Sequence, residues 1–510
     1  MSKSTLVAPR FADTDAIGWE NTDAIGWDQA VDLTSPHIIG AWLFNIDDES
    51  YLWSTQSITI DSDSYAAMVD PKSFGGIKIA NSYNGAERIH VLEDIDIEVP
   101  DPDGTYSSAN FIGKSVDIGL YVDDGETGYV IRTFLYSVKS AKKIYDILYL
   151  TLQDRFVSDE LEDFYPNTDL VQNIWASDGD SQLGYCLPVP FGTAYIPMPS
   201  VYIDDQRYYV LGEDSGTYTI EEVRSPQSWP ESVWTSTNFS FSQSTKDTHK
   251  VFQATIVDSD EDGTADNNGL FRDGNQFAPI STKYSNSNTS STTNPAEIIA
   301  DMIFSGSSIP VASNTFGLTE IVFNGAFPYR RKKYEWAAKA LKASHSALKL
   351  ADNGLREVKS LVSTPKATFS ASTNILEESF AYSRVLNQED YDGGHIKFPK
   401  SGEPQHVLYE YRVGLGNSAT TNPIDETLDL QFIQDSEVAQ KVGILYFERV
   451  VKKKAEASFD AWVDAVIRNP DEVVLVSGDL YEGGTAYEVV IDNISISSDL
   501  TVSLNCTEFE

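Results

Sequence analysis

The sequence predicts a mainly β fold with a few helices, an α+β chain of several domains. Three observations predict it. Its 510 residues exceed what one hydrophobic core holds, so roughly three to five domains are expected. Strand-length apolar runs, several of them alternating with polar residues, recur along most of the chain. Tyr and Phe are abundant, at 26 and 24 copies, and favour strands over helices.

The first residues hold a tandem repeat. TDAIGW occupies Thr14–Trp19 and again Thr22–Trp27. Its period is too short for a solenoid unit, so residues 1–34 read as an N-terminal arm. Either its two Ile-Gly-Trp patches dock on a neighbour, or the repeat is a slippage duplication in a tolerant tail.

Residues 35–165 read as a first β domain. Strands are expected at 38–46, 56–60, 76–79, 95–99, 116–122, 129–137 and 144–152. The run Asp94-Ile95-Asp96-Ile97-Glu98-Val99 alternates as a half-buried strand does. Turns at 101–104 and 123–128 make the unit an antiparallel barrel or sandwich. Residues 166–290 form an inserted β domain, with an uncharged, proline-rich stretch at 186–200 and a Ser/Thr/Asn-rich loop before Pro295.

Helices enter at 291–375. Asn294 can cap, Pro295 fits the first helical position, and Glu297 completes a capping box. A second helix is expected over 331–350, packing through Trp336, Ala340, Ala343 and Ala347. Residues 376–510 form the last β domain. It contains a helix over 436–452 and strands at 455–467, 473–476, 487–496 and 500–506. One echo links the two ends. Gly119–Ser137 and Gly478–Ser495 both place Leu-Tyr before a Gly-rich acidic hairpin and a Tyr-led strand. Either hairpins have converged, or the chain carries two related β domains.

The formal charge is −40. Phosphate neutralisation supplies most of the affinity of a nucleic-acid binder, so direct gripping of DNA is not expected. An acidic wall that DNA slides past is compatible with this charge; so is simple solubility. No apolar run reaches the length of a membrane span. The N-terminus lacks a signal-peptide core, so cytoplasmic synthesis is expected. The two cysteines, Cys186 and Cys506, cannot build a disulfide framework, and a single bridge between them is unforced.

The best metal candidate is DSDEDG. Asp258, Asp260 and Asp262 alternate before Gly263, like the first half of a calcium loop. Position twelve is Gly269 where a bidentate glutamate belongs, so a polar hairpin turn competes with a hydrated calcium site completed by Asp266 or Asn268. No other cofactor is indicated. No nucleophile elbow, zinc helix or P-loop occurs. The six histidines, His37, His90, His249, His345, His395 and His406, share no helix at ligand spacing. The chain is therefore not expected to be an enzyme. A basic cluster comprises Arg330, Arg331, Lys332, Lys333, Lys339, Lys342 and Lys349, with a further run at 452–454. It is either a solvated face or a contact for an acidic neighbour.

The order of the segments resembles the tail hub, or baseplate hub, proteins of tailed phages and gene transfer agents. NPAEIIADMI at 294–303 resembles their NPA-plus-amphipathic-helix signature, and 251–274 resembles the hairpin that leads into it. Residues 348–361, 374–385, 437–451 and 475–504 are similar to the segments that follow, and 187–211, which opens LPVPFG, resembles their "IPVxYG" segment. The resemblance covers most of residues 38–508. It implies two barrel-like hub domains per chain, a homotrimer matching a sixfold tail tube, and contacts with distal tail or tube, tape-measure and fibre proteins. It further implies a place at the virion's tail tip after assembly in the host cytoplasm. DNA would pass during ejection without specific binding. Some relatives hold an iron–sulfur cluster on four cysteines, which this chain lacks. An outward-facing receptor- or glycan-binding tail protein is the alternative, since nine tryptophans and many tyrosines can stack on sugars.

Overall fold

The computed structural model describes residues 39–160, 185–256, 280–286 and 293–509, apart from breaks of eight residues or fewer within those spans. The fold is mainly β with few helices. Strands β1 (Ile39–Ile46), β2 (Tyr51–Ser54), β3 (Ile58–Ile60) and β4 (Asp63–Ala67) precede a hairpin, β5 (Ile77–Tyr83) and β6 (Ala86–Leu92). Then come β7 (Ile95–Pro100), β8 (Ser115–Asp123), β9 (Gly128–Ile144) and β10 (Ile147–Asp154). The first sheet runs β3-β4-β2-β1-β8-β9-β10-β7. Alternation built it: Ile95, Ile97 and Val99 of β7 and Leu148, Leu150 and Leu152 of β10 are buried on one face.

Helix α1 (Arg155–Glu160) leads to the inserted strands β11 (Tyr185–Ile196), β12 (Ser200–Ile203), β13 (Gln206–Glu213), β14 (Gly216–Arg224), β15 (Val233–Thr235), β16 (Phe239–Lys246), β17 (His249–Ile256) and β18 (Ile280–Asn286). These make a four-stranded sheet, β12-β13-β17-β16. With β20 (Gly325–Tyr329), they also make a five-stranded one, β15-β14-β18-β11-β20.

Helix α2 (Pro295–Glu297) begins as its sequence directs. The Asn294 Oδ1 accepts from the Ala296 N–H at 3.0 Å, and Asn294 Nδ2 donates to Glu297 at 3.3 Å. The segment continues as a π-helical turn, Ile298–Ile303, which buries Ile298, Ile299 and Ile303. Strand β19 (Val311–Ser313) follows.

Helix α3 (Lys333–Ala343) is shorter than its sequence suggests, because residues 346–350 form strand β21 (Ser346–Leu350). Ser344 folds its hydroxyl back onto the Ala340 carbonyl at 2.8 Å, and His345 takes a left-handed φ of 48°. β21 then pairs on both sides, with β6 and with β22 (Arg356–Ser360), and all five of its residues are buried. That burial overrides the helical propensity of Ala, Leu and Lys.

The last third comprises β23 (Thr368–Phe369), β24 (Ala381–Arg384), a small sheet of β25 (Gly393–Pro399), β26 (His406–Arg412) and β27 (Pro423–Asp429), and helix α4 (Ser436–Val451). It ends with β28 (Lys453–Ala461), β29 (Val473–Val476), β30 (Tyr487–Ile496) and β31 (Val502–Phe509). The expected strand over 455–467 stops at Ala461, and 463–467 is a 3-10 turn.

The two ends of the chain are wired alike. In the first sheet β8, β9 and β10 form a meander, and β10 pairs back on β7. In the second, β29, β30 and β31 form a meander, and β31 pairs back on β28. Both are four-stranded Greek keys. Each crosses from its first strand to its second through a 3-10 turn, at Ser108–Asn110 and at Val463–Ile467. The hairpin β5–β6 leaves the first unit and joins the second sheet, with Ile79 opposite Ile494. The path there is β19-β22-β21-β6-β5-β30-β31-β28-β24.

One hydrophobic core serves both keys. Trp42, Phe44, Ile118 and Phe134 share a cluster with Phe459, Val474, Ile494 and Leu504. Trp42 also donates its Nε1–H to the Ser498 carbonyl at 3.3 Å. A second core gathers the helices and the small sheet around Phe191, Phe327, Trp336 and Phe432, whose ring centroids lie 5.1–6.1 Å apart in tilted and edge-on pairs.

Candidate functional site

Between the two Greek keys lies a seam of buried charge. It gathers residues from β6, β9, β10, β21, β22, α4 and the loop before β29. Arg132 of β9 is fully buried. Its Nη1 donates to the carbonyls of Val466 at 2.6 Å and Arg468 at 2.8 Å, and its Nη2 to the Leu350 carbonyl at 3.2 Å and to Asn469 Oδ1 at 2.7 Å. One guanidinium from the first key thus ties down the crossover of the second. Lysine could not do this, because its ammonium lacks the planar fork.

Asp154 ends β10 and is 1% exposed. Its carboxylate accepts from Arg356 Nη2 at 2.5 Å, from the Leu92 N–H at 2.8 Å and from the Phe156 N–H at 3.0 Å. These bonds satisfy the carboxylate, while the Arg356 Nη1 donates to the Gly354 carbonyl at 3.1 Å and its Nε has no partner. The Arg356 guanidinium also lies 5.1 Å from the Phe156 ring.

Asp471 is a third centre, reached by His90 Nε2 and by Arg449 Nη1, each at 3.3 Å. Burial alone raises its pKa. The hydrogen bond from His90 and the charges of Arg449 and Arg88 outweigh it and hold the carboxyl below the usual range. His90 has no exposed surface, and burial lowers its pKa despite Asp471. It is therefore a neutral imidazole donating Nε2–H, and its Nδ1 has no partner. Burial, with Arg88 and Arg449 nearby, pushes His345 down to about 3. Burial likewise lowers Lys349.

β6 reaches this seam through a bulge. Ala80 faces Val91 and Ser82 faces Glu87, so three residues of β6, Arg88, Ile89 and His90, oppose Asn81. Arg88 adopts a left-handed φ of 68°, a conformation that costs an L-residue about 1–2 kcal/mol. The bulge turns both Arg88 and His90 into the interior, where they are 6% and 0% exposed.

The candidates read from sequence fall elsewhere. Asp258, Asp260 and Asp262 lie outside the described residues. Among the described residues, no group of three or more His, Cys, Asp or Glu side chains could hold a metal ion. Cys506 is a free, buried thiol of β31, so no bridge joins it to Cys186. Of the basic cluster, Lys349 is buried in β21, Lys342 pairs with Glu87 at 3.5 Å, Lys339 donates to Gln431 at 3.0 Å, and Arg331 and Lys339 both lie by the Trp336 ring; Arg330 and Lys452 fall outside the described residues. Among the described residues, no helix is long and apolar enough to cross a membrane.

Sequence reasoning missed the seam. The strands expected from sequence skip AERIHVL, and nothing in that run marks Arg88 and His90 as interior. The bulge of β6 and its pairing with β21 bury both. Arg132 and Asp154 did carry a signal, each a charge beside an apolar strand run.

No family model matches the chain, and no curated protein does. Solved structures do. The chain is similar to the 43 kDa tail protein of prophage MuSo2 from Shewanella oneidensis, at 10% identity and a TM-score of 0.42, over 92% of this chain and 98% of that one. It is similar to a chain of the native gene transfer agent virion, at 9% identity and a TM-score of 0.45, over 67% and 87%. A third similarity is to a prophage tail protein from Listeria monocytogenes EGD-e, at 8% identity and a TM-score of 0.39, over 91% and 94%.

Proposed function

We propose that the chain is a structural hub subunit at the tip of a phage-type tail, with no catalytic step of its own. The observation that carries this reading is the shared wiring of the two Greek keys. A chain with two like β units gives six of them when three chains close a ring. Such a ring matches a sixfold tube above while remaining threefold in sequence. Heterologous interfaces that repeat around an axis close in this way. The order of hub-like segments in the sequence supports the same reading.

In this arrangement the seam has a mechanical role. It fixes one key against the other, so that both present their edges at a set angle to the neighbouring subunits. The ring would hold the end of a tape-measure protein and later pass DNA. A charge of −40 per chain keeps phosphate from sticking to such a wall. Distal tail, tube and fibre proteins are the expected neighbours.

Native mass spectrometry of the purified chain tests the stoichiometry. The expected result is a complex of three 56.4 kDa protomers. Imaging of tails should place a ring at the distal end. A stable monomer, together with tails that carry no such ring, would overturn the reading. Antibodies that label the chain all over intact particles would favour an outward-facing binding protein instead.

A further inference from the structure

Beside the seam, an open cleft of about 840 Å³ lies against β5, β6, β30, β31 and α4. Arg88, Tyr446, Arg449 and Asp471 line it, with Asn493 and Asn505 of the second Greek key. The carboxylates around it are already engaged. Asp471 is taken by His90 and Arg449, Glu93 by Lys78 at 3.7 Å, Glu87 by Lys342 at 3.5 Å, and Asp492 accepts from Thr507 at 2.8 Å.

Arg88 differs. Among the described residues, no carboxylate lies within ion-pair distance of it. Its guanidinium lies 5.8 Å from the Tyr446 ring and makes one long bond, 3.4 Å, to the Leu341 carbonyl. Yet it is only 6% exposed. The charge of Asp471 reaches it, but a buried guanidinium without a salt bridge is costly, and its backbone is strained as well. Strain of this kind persists where the surrounding structure enforces it, and it clusters at ligand sites.

We propose that the cleft is a binding site for a compact oxyanion, a carboxylate or a phosphate, held by the guanidinium fork of Arg88. Arg449 adds a second positive charge to the same space, and the side-chain amides of Asn493 and Asn505 can supply further donors. An arginine suits the task because its fork matches both kinds of oxyanion. The β6 bulge is what aims it. This site is independent of the ring reading and would stand if that reading fell.

The test uses the full chain at constant ionic strength, with inorganic phosphate and with glutarate, a mimic of an acidic side chain. Calorimetric titration and thermal melting are the readouts. The wild type should bind at least one of them, with a melting temperature that rises by about 2–4 °C at saturation. Arg88→Gln should lose binding, and Arg88→Lys should weaken it by about tenfold. Asn493→Asp sits on the exposed cleft wall and keeps the oxygen that accepts from Asn505 at 2.6 Å. Its added charge should weaken binding by roughly threefold without disturbing the fold. Preference for glutarate assigns the site to an acidic side chain of a protein neighbour, and preference for phosphate to a phosphoryl or free phosphate ion. Two results would overturn the proposal: neither anion binds the wild type, or Arg88→Gln and Asn493→Asp bind as tightly as it does.

Discussion

Arg132 and Asn469 lie 337 residues apart in sequence and 2.7 Å apart in space. Around that contact the same guanidinium holds three backbone carbonyls of other elements. Replacing Arg132 with methionine removes the donor that all four buried acceptors share. The expected loss is about 3–5 kcal/mol of stability, read as a lower urea midpoint. An unchanged midpoint would show that the seam does not hold the keys together.

The Asp154–Arg356 pair makes a sharper comparison. Asp154→Asn leaves a buried guanidinium without its counter-charge and should cost about 3–5 kcal/mol. The double variant Asp154→Leu with Arg356→Met removes both charges and should recover much of that loss. If the double variant is no more stable than Asp154→Asn, the loss comes from the backbone bonds at Leu92 and Phe156 rather than from the stranded charge.

Acid should weaken the fold before the exposed carboxylates titrate. Burial pushes His345 down to about 3, against about 6.5 in an unfolded chain. Between those values the unfolded state binds more protons, so stability is full above about pH 6.5 and falls as the pH drops. The slope is about 1.4 kcal/mol per pH unit for each such histidine. His90 moves in the same direction. The depressed Asp471 carboxyl adds stability that is present above the ordinary carboxylate range and is lost further into acid. His345→Asn tolerates the left-handed backbone and should flatten the curve by one proton. Urea midpoints at several values from pH 7.5 to pH 4 would show this, and a His345→Asn profile parallel to wild type would refute it.

Gly354 closes the turn after β21 with φ +81°, and a Cβ there would lie 2.6 Å from Leu135 Cγ. The turn also gives the Asp352 carbonyl to the Thr133 N–H at 2.8 Å. Gly354→Ala should therefore cost about 1–3 kcal/mol, from backbone strain and from pressure on β9. Thermal melts of the variant would settle the size.

Burial pushes the Cys506 thiol well above the usual range. Its thiolate fraction at neutral pH is then very small, and the thiolate is the reactive form. Peptide mapping after iodoacetamide should find Cys506 unmodified in the native protein and modified in urea. Modification under native conditions would mean that β31 opens locally.

The strands were legible because their signal is local. Val116, Ile118, Leu120 and Val122 alternate in sequence and are buried on one face in the structure. Asn294, Pro295 and Glu297 announced a helix start by the same local chemistry. The pairing of distant strands was not legible. Nothing in residues 77–92 says that this hairpin leaves its own unit to pair with β30. The seam was hidden for a related reason: the bulge that turns Arg88 and His90 inward, and the pairing of β6, β21 and β22 that brings Lys349 and Arg356 beside them, join segments far apart in sequence. β21 was hidden because Ala, Leu and Lys are strong helix formers, and pairing on both sides outweighed them.

The exchange of β5 and β6 into the second sheet bears on how the chain matures. During synthesis the hairpin emerges some four hundred residues before its partner, as the register of Ile79 on Ile494 requires. Until β30 leaves the ribosome, β5 offers an unpaired edge to whatever is nearby, and the core around Trp42 lacks the half contributed by the C-terminal strands. Closing so long a loop is slow. A nascent or truncated chain is thus open to pairing with its siblings through that edge, and a stop codon late in the reading frame would damage the first domain as surely as the last.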